Sequence, residues 1–248
     1  MCILIVMRGL RAEPSLVVAG NRDERFDRKA APPGLWVGTR RRLLSPRDRQ
    51  AGGTWLAIDD RGCFAGITNL ARVPPVPEAP SRGHLVHLAL DQQDLEAGVA
   101  AVRQRVREHA YAGFQLVLGD ASRLLIVHHA RGELRVIEWA ERWLVVTNEH
   151  EPGQLEPRGL SLALAPALNL EQRLAALTQV LRDRGGDGHH AICKRGEHYG
   201  TVSSSLLAIR AGDAQALLWR YAAGAPDVTE YRNYGNLGRR LLPDPATD

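Results

Sequence analysis

Met1-Cys2-Ile3-Leu4-Ile5-Val6-Met7-Arg8 opens the chain. A continuous aliphatic run of this length, with β-branched members, reads as a buried strand. It is far too short to cross a membrane, and neither the basic region nor the cleavage pattern of a secretion signal accompanies it. Gly9 to Pro14 reads as a turn, and Ser15 to Ala19 as the returning strand of an opening hairpin. Gly20 is expected to break that strand. A dense polar cluster follows, Asn21-Arg22-Asp23-Glu24-Arg25, and the hairpin carries it back beside Cys2.

Beyond the hairpin, a Pro/Gly-rich stretch runs to Gly38, and Leu43-Leu44-Ser45 follows. Thr54 to Ile58 and Cys63 to Asn69 read as strands joined by the turn signal Asp59-Asp60-Arg61-Gly62. Four prolines make Val73 to Pro80 an extended loop. Ser81 is the expected cap of a helix reaching about Leu90, and Leu95 to Glu108 carries the apolar spacing of a second. Strands are expected over Phe114 to Leu118, Leu124 to His128, Leu134 to Trp139 and Trp143 to Thr147. Glu171 to Arg184 reads as an amphipathic helix. Val202 to Ile209 and Ala216 to Tyr221 read as a closing hairpin. Hairpin-built sheets with segregated helices point to an α+β fold rather than a doubly wound parallel sheet. One domain over residues 1–225 and an irregular tail over 226–248 are expected.

The 248 residues are 44% hydrophobic and 24% charged, which excludes wholesale disorder or a coiled coil. The net charge of +4 is scattered, with one tight run at Arg40-Arg41-Arg42, and no basic motif with interleaved aromatics suggests nucleic acid. Cys2, Cys63 and Cys193 form no CxxC pair or zinc spacing. A sparse, odd set of thiols points to a reducing compartment, and the expected location is cytoplasmic, with no membrane insertion.

Cys2 is the residue with the most chemistry. Removal of Met1 would leave it a free α-amine of reference pKa roughly 7.7–8, so one residue would hold both nucleophile and general base. A nearby guanidinium stabilises a thiolate, and a carboxylate holds an ammonium or orients the guanidinium. The alternative reading is a buried strand cysteine beside a solvated turn.

The order Met1-Cys2 with its aliphatic strand, Asn21-Arg22-Asp23-Glu24, then Ala51-Gly52-Gly53-Thr54-Trp55-Leu56 resembles the NRDE family, also called transport and Golgi organization protein 2-like. Ile67-Thr68-Asn69, Ser81-Arg82-Gly83, Thr147-Asn148 and Tyr199-Gly200-Thr201-Val202-Ser203-Ser204-Ser205 extend the resemblance to about residue 220. It implies an N-terminal nucleophile hydrolase-like fold, a four-layer αββα sandwich of two antiparallel sheets. It also implies kinship with cysteine acylases that cleave a carbon–nitrogen amide bond. Carried over by position, Cys2 matches the nucleophile, and Arg22 and Asp23 match a supporting pair. Asn69 and Asn148 match asparagines that help form an oxyanion hole. Each asparagine also reads as a strand cap or turn. Asn21, Glu24, Trp36, Trp55, Thr201 and Ser203 are the expected substrate-binding positions. Such acylases place an arginine late in the chain, where this sequence has the hydroxyls of Thr201 to Ser204. Lys194, Arg195 and Arg210 lie near, and none fits clearly.

Two functions are therefore expected to compete. One is an amidase or acylase working through a thioester on a small-molecule amide, with no cofactor or metal required. The other, implied by the family's links to haem trafficking and to lipid or acyl-CoA metabolism, is a carrier of a hydrophobic ligand. Haem would be a noncovalent ligand there, because no CxxCH motif is present. His189, His190 and Cys193 read as a solvated loop rather than a metal site, since neighbouring residues of an extended chain face opposite ways.

Overall fold

A computed structural model describes residues 2–9, 16–74, 76–186, 188–209 and 217–241. The chain forms two compact units. The first draws on Met1–Asp27 and Glu141–Arg239, the second on Arg28–Ala140 and Arg240–Pro243. Each contains one antiparallel sheet with helices on one face. Among the described residues no helix is long and apolar enough to cross a membrane.

The first unit is built on β1 (Ile3–Arg8), β2 (Leu16–Arg25), β10 (Trp143–Thr147), β11 (Tyr199–Ile209), β12 (Leu218–Ala222) and β13 (Arg232–Asn233), in the order β10-β1-β2-β11-β12-β13. Every neighbouring pair is antiparallel. Alternate residues Ile3, Ile5 and Met7 of β1, Val17 and Ala19 of β2, and Leu206 and Ala208 of β11 turn one face to two helices, α3 (Leu160–Leu164) and α4 (Leu170–Arg182). Leu174, Leu177, Val180 and Leu181 of α4 fill that layer. Each such side chain contributes on the order of 1.5–3 kcal/mol on burial, so packing outweighs propensity in holding α4. Its start is fixed by a capping box, in which Asn169 accepts from Gln172 N and Gln172 reaches back to Asn169 N. Arg173 is buried and donates to the carbonyls of Ala163, Ala165 and Leu168, satisfying the end of α3 and the turn beyond it.

In this unit two expectations change. Gly20 does not break β2: the strand runs through the polar cluster to Arg25, because β11 pairs with it along its full length. The stretch after residue 225, expected to be irregular, carries β13 and α5 (Gly235–Leu241) over its described part. The expected turn from Gly9 to Pro14 and the hairpin end at Ala216 fall largely outside the described residues.

The second unit is a seven-stranded meander, β3 (Ala30–Val37), β4 (Arg42–Asp48), β5 (Leu56–Asp59), β6 (Phe64–Asn69), β7 (Phe114–Gly119), β8 (Leu124–Ala130) and β9 (Glu133–Glu138), each pairing with the next. Its apolar face meets α1 (Gly83–Leu90) and α2 (Leu95–Glu108) through Leu85, Val86, Leu95 and Val102. The Pro/Gly-rich stretch before Gly38, given no element from the sequence, holds a strand. It lies at the sheet edge, and its register slips between Ala31 and Gly34, around Pro32 and Pro33. Edge positions and bulges are where a strand tolerates proline. Ser81 does not cap α1: its Oγ accepts only from Gly83 N, at 3.4 Å, and Arg82 occupies the cap position.

Two contacts organise this unit. Gly53 and Gly83 approach so closely that a Cβ on Gly53 would lie 2.5 Å from the Gly83 carbonyl carbon, and one on Gly83 would lie 2.9 Å from Thr54 O. The Gly-Gly-Thr and Ser-Arg-Gly blocks of the sequence are thus two halves of one backbone contact, sealed by Thr54 N donating to Gly83 O. Asp91, just after α1, accepts the backbone N–H groups of Thr39, Arg40 and Arg41 at 2.7–2.8 Å, holding the arginine-rich β3–β4 turn. The proline-rich segment is pinned at its ends by Gly113 O, which accepts from Leu70 N at 3.0 Å and from Arg82 Nη1 at 2.9 Å.

Gly83→Ala is expected to cost about 1–3 kcal/mol, since the added methyl meets backbone rather than a movable side chain; an unchanged urea midpoint would refute the contact. Asp91 gives a pH signature. Burial pushes its carboxyl up, but the three backbone donors outweigh this and hold it below the usual range. A depressed carboxylate stabilises the fold above its unfolded pKa, and that stability is lost as pH falls through the folded value. Asp91→Asn is therefore expected to lower the melting temperature at pH 7 and to leave a flatter decline between pH 5 and pH 3 than the parent shows.

Candidate functional site

The site grows from the register of β1. Ile3 stands opposite Thr147 of β10 and Asn21 of β2. Continued by one residue, that register would set Cys2 between Asn148 and Arg22. Gly20 makes the close pairing work, because a Cβ there would lie 2.6 Å from Ile3 O. On the far side of β2, β11 bulges: Thr201 pairs with Asp23 and Ser203 with Arg22, leaving Val202 as the extra residue. Partners directly opposite project to the same face, so the bulge sets Thr201 beside Asp23 and Ser203 beside Arg22.

Cys2 Sγ lies against the main chain of Asp23, 3.4 Å from its nitrogen and 3.5 Å from its oxygen. Tyr199 donates its hydroxyl to that same oxygen at 3.1 Å, which makes phenol and thiol neighbours. The Asp23 carboxylate accepts from Thr201 Oγ1 at 2.6 Å, and Thr201 Oγ1 in turn accepts from Lys194 N at 2.9 Å. Arg22 faces Glu24 at 3.5 Å, and Lys194 Nζ faces Glu149 at 3.3 Å. Asn148 has a buried Oδ1 without a partner. Asn21 is buried, and its amide donates to the carbonyls of Leu181 and Ile192, tying β2 to the end of α4.

These contacts set the charges. Burial pushes the Cys2 thiol up to about 11, and the Asp23 carboxylate adds to the rise, while the Asp23 N–H and Arg22 oppose it. The thiol is therefore protonated near neutrality. Burial also raises Asp23, against the Thr201 hydroxyl and the Lys194 charge, which lower it. Burial pulls Lys194 down, while the chain's N-terminal group, Glu149 and Asp23 push it up, and it ends above its ordinary value. Tyr199 is pushed up by burial and then by the Cys2 and Asp23 charges. Cys63 is raised to about 12 and Cys193 to about 11, burial being the first cause in each. Both are buried, whereas Cys2 is partly exposed.

Of the positions expected from sequence, Cys2, Asn21, Arg22, Asp23, Glu24, Asn148, Thr201 and Ser203 come together at this one end of the first sheet. Asn69, Trp36 and Trp55 belong to the second unit. Asn69 is the exposed last residue of β6. Trp36 donates to Ser45 O at 3.1 Å, and the Arg47 guanidinium lies 4.4 Å from its ring centre. Trp55 packs against that unit's core. Sequence reasoning gave Tyr199 no role, although it opens a block already singled out, passed over Glu149, which adjoins another, and could not place Lys194. Lys194 sits in an irregular segment between α4 and β11, where no periodicity fixes a side chain. Among the described residues no group of three or more His, Cys, Asp or Glu could hold a metal.

The arrangement offers a partly exposed thiol and an ordered set of charges at one end of the sheet. The fold is shared with penicillin V acylase from Agrobacterium tumefaciens, at a TM-score of 0.54 and 14% identity over 90% of this chain and 83% of that one. It is shared also with the Caenorhabditis elegans ortholog of N-acylethanolamine-hydrolyzing acid amidase, at 0.55 and 12% over 98% and 100%. The α+β sandwich class expected from the sequence is the one found. In sequence, the Transport and Golgi organization protein 2 homolog of Homo sapiens is 27% identical over 79% of this chain and 82% of its own length. The Transport and Golgi organization 2 homolog of Mus musculus is 34% identical over 43% of this chain, a match spanning 39% of the mouse protein. The model of the family described as Transport and Golgi organisation 2 matches residues 1–155, more than half of the chain, and the protein belongs to that family.

Proposed function

We propose that this chain is an N-terminal-cysteine amidohydrolase that cleaves a carbon–nitrogen amide bond through a thioester. The observation that carries the reading is the seat of Cys2 Sγ on the Asp23 main chain, ringed by Tyr199, Thr201 and Arg22. The two structural relatives, an acylase and an amidase, support it.

In this reading Met1 is removed and the Cys2 α-amine takes the thiol proton. Sγ then attacks the amide carbon, and the carbonyl electrons move onto oxygen. Asn148, next to Cys2 in the register, is the proposed donor to that oxyanion. When the oxyanion collapses, the C–N bond breaks and the nitrogen leaves with the proton that the amine held. Water adds to the thioester, the C–S bond breaks, and the acid departs with the thiol restored. Asp23, fixed by Thr201, orients the amine, and Arg22 favours the thiolate.

Intact-mass measurement is expected to find a mature chain starting at Cys2, and an acyl adduct after incubation with a panel of acyl amides. Cys2→Ala should abolish the adduct with its circular dichroism unchanged. Retained Met1, or an adduct that persists in Cys2→Ala, would sink the reading. Asp23→Asn separates charge from orientation. Removing the carboxylate should lower the thiol from about 11, and each unit is worth roughly tenfold in thiolate. Cys2 alkylation at pH 8 should therefore accelerate while amide turnover falls. Slower alkylation would mean that Asp23 does not act on the thiol through its charge.

A further inference from the structure

The sheet order β10-β1-β2-β11 places Cys2, at the open end of β1, inside a span with edges at β10 and β11. Lys194 reaches both edges. Its backbone is locked to β11 by a reciprocal pair of bonds, Lys194 N to Thr201 Oγ1 and Thr201 N to Lys194 O, both 2.9 Å. Its ammonium meets Glu149, two residues past the end of β10, at 3.3 Å. Three strand spacings, roughly 14 Å, separate β11 from β10. The Lys194–Glu149 pair closes that gap at 3.3 Å, and the Lys194 charge acts on Asp23 of β2 as well.

We infer that Lys194 is a positioning residue of the Cys2 centre: a cationic strap from β11 to β10 that orients Thr201 towards Asp23 and presents positive charge to the Cys2 thiolate, with Glu149 setting how much of that charge is felt. The inference deepens the amidohydrolase reading and rests on it for its purpose, because a thioester mechanism needs thiolate. It also assigns a cation where the late hydroxyl run supplies none. The charged and titratable groups around the thiol are then the α-amine of the mature Cys2, Asp23, Tyr199, Arg22 and Glu24 from β2 and β11, and Glu149 with Lys194 from the strap. His150 lies beyond, bonded through Nδ1 to Thr147 Oγ1 at 3.0 Å. The mutual influence of Lys194 and Asp23 on each other's protonation agrees with this placement.

The test is the rate at which iodoacetamide modifies Cys2 at pH 8, read by peptide mapping with Cys63 and Cys193 as internal references. Lys194→Met should slow Cys2 by about threefold or more, half a unit of thiol acidity, and Lys194→Arg should restore most of the rate. Glu149→Gln should act in the opposite sense and speed Cys2, because it leaves the ammonium uncompensated. A folded Lys194→Met with the parental rate, or Lys194→Met and Glu149→Gln shifting the rate the same way, would overturn the inference. If Lys194→Met does not fold, Glu149→Gln decides alone, and an unchanged rate overturns it. Alkylation requires no turnover, so the two failures are distinguishable. An inert amide panel with the expected rate changes counts against the amidohydrolase reading only. Flat rates with normal turnover count against the strap only.

Discussion

The pairing of β1 between β10 and β2 is the constraint on which the first unit rests. Five buried residues, Ile3 to Met7, are clamped by backbone ladders on both sides, which fixes the register. A one-residue shift would exchange Ile3, Ile5 and Met7 for Leu4 and Val6 on the helix-covered face and so misfit two packed apolar faces at once. The same fixed register delivers the thiol to its place. Apolar burial, which has no directional chemistry of its own, becomes the positioning device for a group that needs accuracy of a fraction of an ångström.

Around that thiol the protein faces an electrostatic difficulty and answers it with local pairs. Burial disfavours every charge at the end of the sheet, and a carboxylate beside a thiol disfavours thiolate further. Each charged group is therefore given a close partner: Asp23 the Thr201 hydroxyl, Arg22 Glu24, and Lys194 Glu149. The β11 bulge shifts the register between the two rows, so that Thr201 faces Asp23 while Ser203 faces Arg22. The result is a set of groups poised by one another rather than by solvent.

Much of this was legible in the residues. Regular periodicity located α2 and β10 to the residue, because a long amphipathic run and a short β-branched run each admit one period. Cys2, Arg22 and Asp23 were visible as chemistry out of place beside an aliphatic strand. What escaped did so for physical reasons. Pro32 and Pro33 hid β3, since the rule against prolines in strands lapses at an edge. Gly20 looked like a terminator, but its missing side chain admits the β1 backbone. The five-residue α3 is too short to show a period, and Lys194 is placed by hydrogen bonds to a strand that starts five residues later. Propensity describes neighbours along the chain, whereas these features are settled by neighbours across it.

The double tether at Gly113 O has a consequence for how this architecture varies. Leu70 and Arg82 both anchor on one carbonyl, so the proline-rich stretch between them is a closed ring whose ends are fixed whatever it contains. For such a ring the entropic penalty grows with the logarithm of its length, about 0.6 kcal/mol for each doubling. Neither β6 nor α1 need register what happens inside it. Insertions and deletions between residues 71 and 81 are therefore length changes that this unit can absorb at small cost, and a fluorophore or affinity tag spliced there would put little load on the sheet.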